Sequence, residues 1–398
     1  VLPLTPTSRR YPWGSPTAIP RALGLETDDG RALAEAWYGA YPTGSSVVEG
    51  PDGATTLHAL VAQDPEGVLG ADVVARFGPR LPFLLKLVAA DSPLPLEVHP
   101  GRACAEAGFA AEEDAGVPSE VPARRFPDPY HRPVLVYALG GVEALSGFRA
   151  PRRAAELLDG LGVPLARSLR AAILERPDAD GVVAAFASLF DPATRPDAAV
   201  VRELTTACAQ RLWDGSPSPR VDRTVVALGE EHPGDPAAVA ALLLNPVTLR
   251  AGEALFIPAG TVHAYVSGLS VQVSAASDSA LRLGLTVQPL DVEAALRCLD
   301  RVAAPAIRIA PETFYGTTSV YYAPVDDFEL SVTTPSSNAP LPLPGRGPRI
   351  LLCLDGMAAV SGESGTVTLG RGQSLVLTAA DGPVQVVGTG RLVQVAVP

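Results

Sequence analysis

Residues 250–268, RAGEALFIPAGTVHAYVSG, decide how this chain is read. Gly252, Pro258, Gly260 and His263 follow a Gly-x5-Pro-x-Gly-x2-His spacing. Glycine opens the backbone to positive φ and proline fixes φ, so the pattern predicts a strand, a tight turn and a second strand. His263 is delivered where that turn meets the second strand. The chain has five histidines in all. Taken alone, a histidine at a strand edge suits a structural role as well as a metal ligand's.

A second stretch, PLEVHP at 95–100, adds partners for it. Glu97 and His99 are two residues apart on a predicted strand, so their side chains share one face while Leu96 and Val98 take the other. With His263 they make two imidazoles and one carboxylate. That donor set suits zinc, iron(II) or manganese with coordination positions left open for chemistry. A hydrogen-bonded Glu–His pair at a strand end is the structural alternative.

Composition narrows the field. At 398 residues the chain is long enough for two or three domains with substantial cores. A net charge of −12 argues against nucleic acid or an anionic membrane as partner, because no broad cationic face is available. A small phosphorylated ligand needs only a few local cations and stays possible on charge grounds. No apolar run approaches the roughly 18–20 residues of a membrane span, and VLPLTPTSRRYPWG lacks the apolar core of a secretory signal. A cytoplasmic location is the expectation. Cys104, Cys208, Cys298 and Cys353 lie far apart with no C-x-x-C pair, so reduced structural thiols are expected and a thiolate zinc site is not. There is no P-loop or dinucleotide fingerprint.

Hydrophobic patterning divides the chain. LPFLLKLVAA and HRPVLVYAL are short apolar runs of the kind buried strands show. From residue 150 the period changes. Ala154, Leu157, Leu158 and Leu161 fall at helical spacing, as do Leu165, Leu169, Ala172 and Ile173, and then Val182, Phe186, Leu189 and Phe190. Strand character returns at VTLRAGEALFIP, and in LSVQVSA Leu269, Val271 and Val273 alternate with polar residues. The last fifty residues are short strands with glycine-containing turns. The patterning predicts a mainly β chain with a mostly helical block over residues 150–243.

The Gly/Pro/His spacing resembles the second half of a cupin motif, and the motifs together resemble type I mannose-6-phosphate isomerase (phosphomannose isomerase). YPWGSPTAI, LAEAWYGAYP, LPFLLKLVAADSPLPLEVHP, HRPVLVYALGGVEALSGFR, GEALFIPAGTVHAYVSG, SDSALRLGLT and PVDDFELSV carry the likeness in order along the chain. The resemblance implies a cupin (jelly-roll) barrel over residues 1–149 and 244–320, a helical insertion at 150–243 and a C-terminal cupin-like β domain over 321–398. It also implies one zinc ion per chain, a sugar-phosphate substrate, a cytoplasmic monomer and aldose–ketose isomerisation.

Carried over residue by residue, His99 and His263 occupy the family's histidine-ligand positions. Glu97 stands where the family has a glutamine ligand, and Val134 where it has a glutamate ligand. Pro95, Tyr41, Gln272, Ser279 and Gln288 replace serine, histidine, glutamate, asparagine and lysine. Arg102 and Arg132 replace lysines. Lys86, Tyr265, Asp278 and Arg282 are retained. The expected site is therefore Glu97, His99 and His263 on the metal, with Lys86, Tyr265, Asp278 and Arg282 in catalysis. Trp13, Arg102, Arg132 and Gln272 would hold the substrate. Asp278 is the candidate base, and its alternative is a salt bridge to Arg282 at i+4. Three functions stay open: mannose 6-phosphate isomerase, an enzyme for another sugar on the same scaffold, and an inactive sugar-binding protein.

Overall fold

The structure, a computed structural model, describes residues 1–25, 30–50, 53–118, 121, 124–363 and 365–398. Among these, two eleven-stranded sheets account for the β framework. The site lies in the first. Its path runs Ile307–Ile309, Ala254–Ile257, Val134–Ala138, Val262–Ala275, Phe83–Ala90, Glu35–Tyr38, Thr7–Arg9. Leu96–Val98, Val142–Phe148, Leu244–Leu249 and Leu281–Gly284 branch from it.

The 14-residue strand Val262–Ala275 joins the two parts of this sheet. Its first half pairs with Leu96–Val98 and Val142–Phe148, and its second half with Phe83–Ala90 and Val134–Ala138. Between the halves the register slips at Tyr265/Ser267. Gly268 follows at φ 116°, and a β-carbon there would meet Gly141 O at 2.3 Å, so only glycine passes. A bulge inverts the inside–outside parity of everything beyond it. Before the slip the odd residues His263 and Tyr265 face the interior of the first sheet. After it the even residues do.

Parity is visible in the cores. Leu85, Leu87, Leu135, Val271 and Val273 pack with Ile350, Leu352, Leu330 and Val393 of the second sheet. Their alternates Val88, Val134, Val136 and Ala138 gather with Ala144, Leu255 and Tyr265 inside the first. The second sheet centres on Arg349–Gly362 paired with Gln385–Ala396. It also recruits Leu2–Thr5, Val47–Gly50 and Gly53–Thr56 from the start of the chain.

The helical spacing after residue 150 gives Pro151–Leu158, Pro164–Glu175, Ala179–Ser188, Ala198–Asp214, Pro219–Glu231 and Pro236–Ala240. Proline opens four of these, where the missing N–H is no loss. Asp178 caps Ala179–Ser188 by accepting from Gly181 N at 3.2 Å. The stripe docks on the sheet through Phe186, whose ring meets that of Phe148 at 5.1 Å.

The cysteines correct the sequence expectation. Cys104 and Cys298 form a disulfide with Cα atoms 5.6 Å apart, whereas Cys208 and Cys353 are buried free thiols. The two bridged residues are 194 apart in sequence. Only packing of helix Arg102–Asp114 beside helix Val292–Cys298 brings them together, and no local spacing announces it.

Candidate metal centre

Glu97 and His263 are direct cross-strand partners, with Val262 opposite Val98 in the same ladder. Leu96 and Val98 are fully buried in the core under the helices, so Glu97 and His99 turn the other way, as the period-two reading requires. The turn ahead of His263 closes through Thr261 N to Pro258 O at 3.1 Å. Gly260, at φ 88°, donates its N–H to His99 O at 2.7 Å and ties the segments that carry His99 and His263 together.

The three side chains converge. One ligand atom from each of Glu97, His99 and His263 lies within 4.8 Å of the others. Glu97 Oε1 is 3.0 Å from His99 Nε2 and 4.0 Å from His263 Nε2. His263 Nδ1 donates to Thr261 O at 2.9 Å, which fixes the tautomer and leaves the Nε2 lone pair free. That Nε2 is buried and has no hydrogen-bond partner among the described residues. An orphaned buried acceptor facing a carboxylate is the arrangement a cation completes. Burial drives both imidazoles below their ordinary pKa and so keeps them neutral. Burial pushes the Glu97 carboxyl up, but the hydrogen bond with His99, the neighbouring imidazoles and the Arg132 guanidinium outweigh it and hold it well below the carboxylate range. A carboxylate with two neutral imidazoles is the protonation state a divalent metal needs.

Cationic and polar groups ring the triad. Gln272 pairs with Lys86 on one side and Val136 on the other, and Trp37 pairs with Lys86, so one row across the sheet faces the interior. Lys86, 1 % exposed, sits 3.8 Å over the Trp37 ring and 3.6 Å from Glu35 Oε2. Burial lowers its pKa. Tyr265 OH donates to Gln272 Oε1 at 2.9 Å, which is possible because the bulge puts both on one face. Arg132 is buried, donates from Nη1 to Ser279 O at 3.2 Å and lies 3.8 Å from Asp278 Oδ1. Trp13 stacks on Tyr11 with ring centres 5.4 Å apart and packs against the cluster containing Val134 and Tyr265.

Other expected contacts fall out differently. The i+4 bridge between Asp278 and Arg282 does not form, because residues 277–280 are a connection rather than a helix. Arg282 instead pairs with Asp291 at 3.8 Å, and its register partner is Glu97. Arg102 is exposed at the start of helix Arg102–Asp114. There it lines a cleft of about 640 Å³ with Arg76, Arg80, Tyr130 and His131, none of them a triad residue. Gln288 is exposed on the connection after Leu281–Gly284. Sequence reasoning missed Glu35, Trp37 and Asp128. The only signal was the Glu-x-Trp spacing, which puts Glu35 and Trp37 on one face, with Trp37 Nε1 donating to Glu35 Oε2 at 2.5 Å.

Fold and site define a class: a cupin-type β protein with a buried carboxylate–bis-imidazole cluster able to hold one divalent metal. The family model for the catalytic domain of type I phosphomannose isomerase matches residues 1–151, and that for the cupin domain of mannose-6-phosphate isomerase matches residues 319–397. Mannose-6-phosphate isomerase of Escherichia coli is 34 % identical over 389 residues, covering 97 % of each chain. Mannose-6-phosphate isomerase 1 of Arabidopsis thaliana is 29 % identical over 93 % of this chain and 87 % of its own. A crystal structure of zinc-bound mannose 6-phosphate isomerase superposes with a TM-score of 0.90 at 31 % identity, over 100 % of this chain and 99 % of the other. The chain belongs to the type I phosphomannose isomerase family.

Proposed function

We infer that this protein is a zinc-dependent aldose–ketose isomerase that interconverts mannose 6-phosphate and fructose 6-phosphate. The observation that carries the reading is the Glu97–His99–His263 cluster, with its orphaned His263 Nε2, in a chain aligned end to end with isomerases of that name. Glu97, His99 and His263 are the metal ligands. Zinc, when bound, supplies Lewis acidity toward the carbonyl and hydroxyl oxygens of the open-chain sugar.

The chain's own residues do the rest. Asp278 carries the proton between C1 and C2, since Glu97 spends its basicity on the metal. Arg132 holds Asp278 and faces the same interior. Lys86 is a donor to the sugar's oxygens, and burial keeps its proton transferable. Tyr265 and Gln272 act as a hydrogen-bonded pair toward the substrate. Trp13 walls the site, and Arg282 is the phosphate cation, its guanidinium suited to bidentate contact.

In this reading residues 1–149 and 244–320 form the catalytic unit, 150–243 the insertion and 321–398 the C-terminal unit. The protein acts as a monomer in the cytoplasm, in carbohydrate metabolism, on a sugar phosphate and without nucleic acid or membrane. No helix among the described residues is long and apolar enough to cross a membrane. The Cys104–Cys298 bridge is the feature a permanently reducing compartment would oppose.

A second reading, another sugar on the same scaffold, is favoured by the apolar Val134 and uncharged Gln272 on the interior face. One experiment separates the two. Metal analysis of protein purified without chelator is combined with a coupled assay of fructose 6-phosphate formation, run beside other aldose phosphates. Zinc with mannose 6-phosphate turnover supports the first. Zinc with turnover of another sugar alone supports the second.

A further inference from the structure

Residues 277–280, which carry Asp278, lie outside any strand between Val262–Ala275 and Leu281–Gly284. A base on such a connection needs its backbone fixed from elsewhere. The segment from Phe126 to Pro133 does this at two points. Asp128, 8 % exposed, accepts at Oδ2 from Tyr41 OH at 2.8 Å and from the backbone N–H of Asp278 at 3.3 Å. Its Oδ1 accepts from Tyr130 N at 3.1 Å, and the Ser277 side chain bonds it as well. Four residues on, Arg132 takes Ser279 O at 3.2 Å. Ser277, Asp278 and Ser279 are thus each held by a side chain from one neighbouring connection.

We propose that Asp128, braced by Tyr41, is a positioning residue that sets the Asp278 carboxylate beside the metal centre, an inference resting on the proton-transfer role given to Asp278 above. The chemistry is one-directional. A carboxylate with acceptor-only oxygens is the side chain that can receive a backbone N–H, a phenol and a serine hydroxyl together. Tyr41 is a donor only while protonated, and burial, reinforced by the Asp128 charge, pushes its phenol far above its ordinary pKa. The Tyr41 ring is itself held edge-on by Trp37, with ring centres 6.2 Å apart, and Trp37 also lies under Lys86. The chain Trp37–Tyr41–Asp128–Asp278 therefore connects the floor of the site to its proposed base. Without Asp128, the Tyr41 and Ser277 hydroxyls and the Asp278 and Tyr130 N–H groups lose their acceptor, and the connection that carries Asp278 keeps only its Arg132 anchor.

The test compares Asp128→Ala, Tyr41→Phe and Asp278→Asn, alone and combined. Misplacing a catalytic group by about an ångström costs up to roughly 100-fold in rate. Asp128→Ala should therefore lower kcat by roughly 10- to 100-fold, with KM and zinc content unchanged. Tyr41→Phe, which removes one oxygen and keeps the packing, should give a smaller loss of the same kind. In the Asp278→Asn background Asp128→Ala should cost nothing further, within about twofold, since it acts through the group already removed. A full, additive loss in that background overturns the proposal.

A second arm needs no turnover. Hydrogen–deuterium exchange over residues 276–281 should be protected in the parent protein and at least about tenfold faster in Asp128→Ala, with other segments unmoved. Unchanged exchange overturns the proposal even if the protein turns out to act on a different sugar. Absent mannose 6-phosphate turnover with faster exchange would fault the substrate assignment and leave the positioning role supported.

Discussion

Replacing Glu97 by glutamine is the sharpest probe of the metal centre, because it keeps shape and removes only charge. Zinc–ligand bonds of about 2.1 Å in tetrahedral geometry put neighbouring donor atoms about 3.4 Å apart. Glu97 Oε1 stands 3.0 Å from His99 Nε2 and 4.0 Å from His263 Nε2, straddling that value, so the triad needs only small side-chain motion to close on an ion. Among the three proposed ligands Glu97 supplies the only negative charge, and the two histidines beside it are buried. Removing one partner of a buried, paired charge costs about 3–5 kcal/mol, or roughly two to three and a half orders of magnitude in Kd. Competition against a chromophoric chelator near neutral pH measures this directly. Thermal unfolding with and without zinc gives a second reading, since saturation at about 100 times Kd stabilises the fold by about 2.7 kcal/mol.

Val134 lies on the same interior face, in the cluster with Tyr265, whose ring is 6.0 Å from that of His263. Glu97→Gln combined with Val134→Glu should restore most of the lost affinity if the carboxylate can serve from either strand. Zinc affinity in Glu97→Gln within about threefold of the parent would refute the ligand assignment. Additive, uncoupled effects of the two substitutions would refute a shared ion.

Three further outcomes follow from the fold. A thiol reagent should find no reactive cysteine in the native protein at neutral pH, because burial pushes Cys208 up to about 12 and Cys353 up to about 11; unfolding should release these two thiols and reduction the other two. Reduction of Cys104–Cys298 frees a 194-residue separation and should lower stability by up to about 5 kcal/mol, read as a drop in the denaturant midpoint on adding dithiothreitol. Arg211→Ala strands the fully buried Asp222 carboxylate, which Arg211 now grips at 2.6 and 2.8 Å, and should destabilise the helical block by about 3–5 kcal/mol in chemical denaturation; replacing both by well-packed apolar residues should be far milder.

Much of this protein is legible in the sequence because the signals are local. Period two places Glu97 and His99 on one face, glycine and proline make the turn before His263, and period 3.6 marks the helices that begin at Pro151. Each depends on backbone geometry within a few residues, so the chain states it outright.

What the sequence left open depends on contacts between distant segments. The bulge at Tyr265/Ser267 inverts strand parity, and only then do Tyr265 and Gln272 meet. Glu35, Trp37 and Lys86 become a cluster through strand register, and Asp128 reaches Tyr41 and Asp278 across 87 and 150 residues. Cys104 finds Cys298 because two helices pack together, Arg282 finds Asp291 because a helix start lies beside its strand, and Leu2–Thr5 joins the far sheet because its edge is there to be paired. Side-chain direction is a local property of the backbone. The partner a side chain meets is set by how whole sheets and helices bury their apolar faces against one another, and that is decided only when the chain has folded.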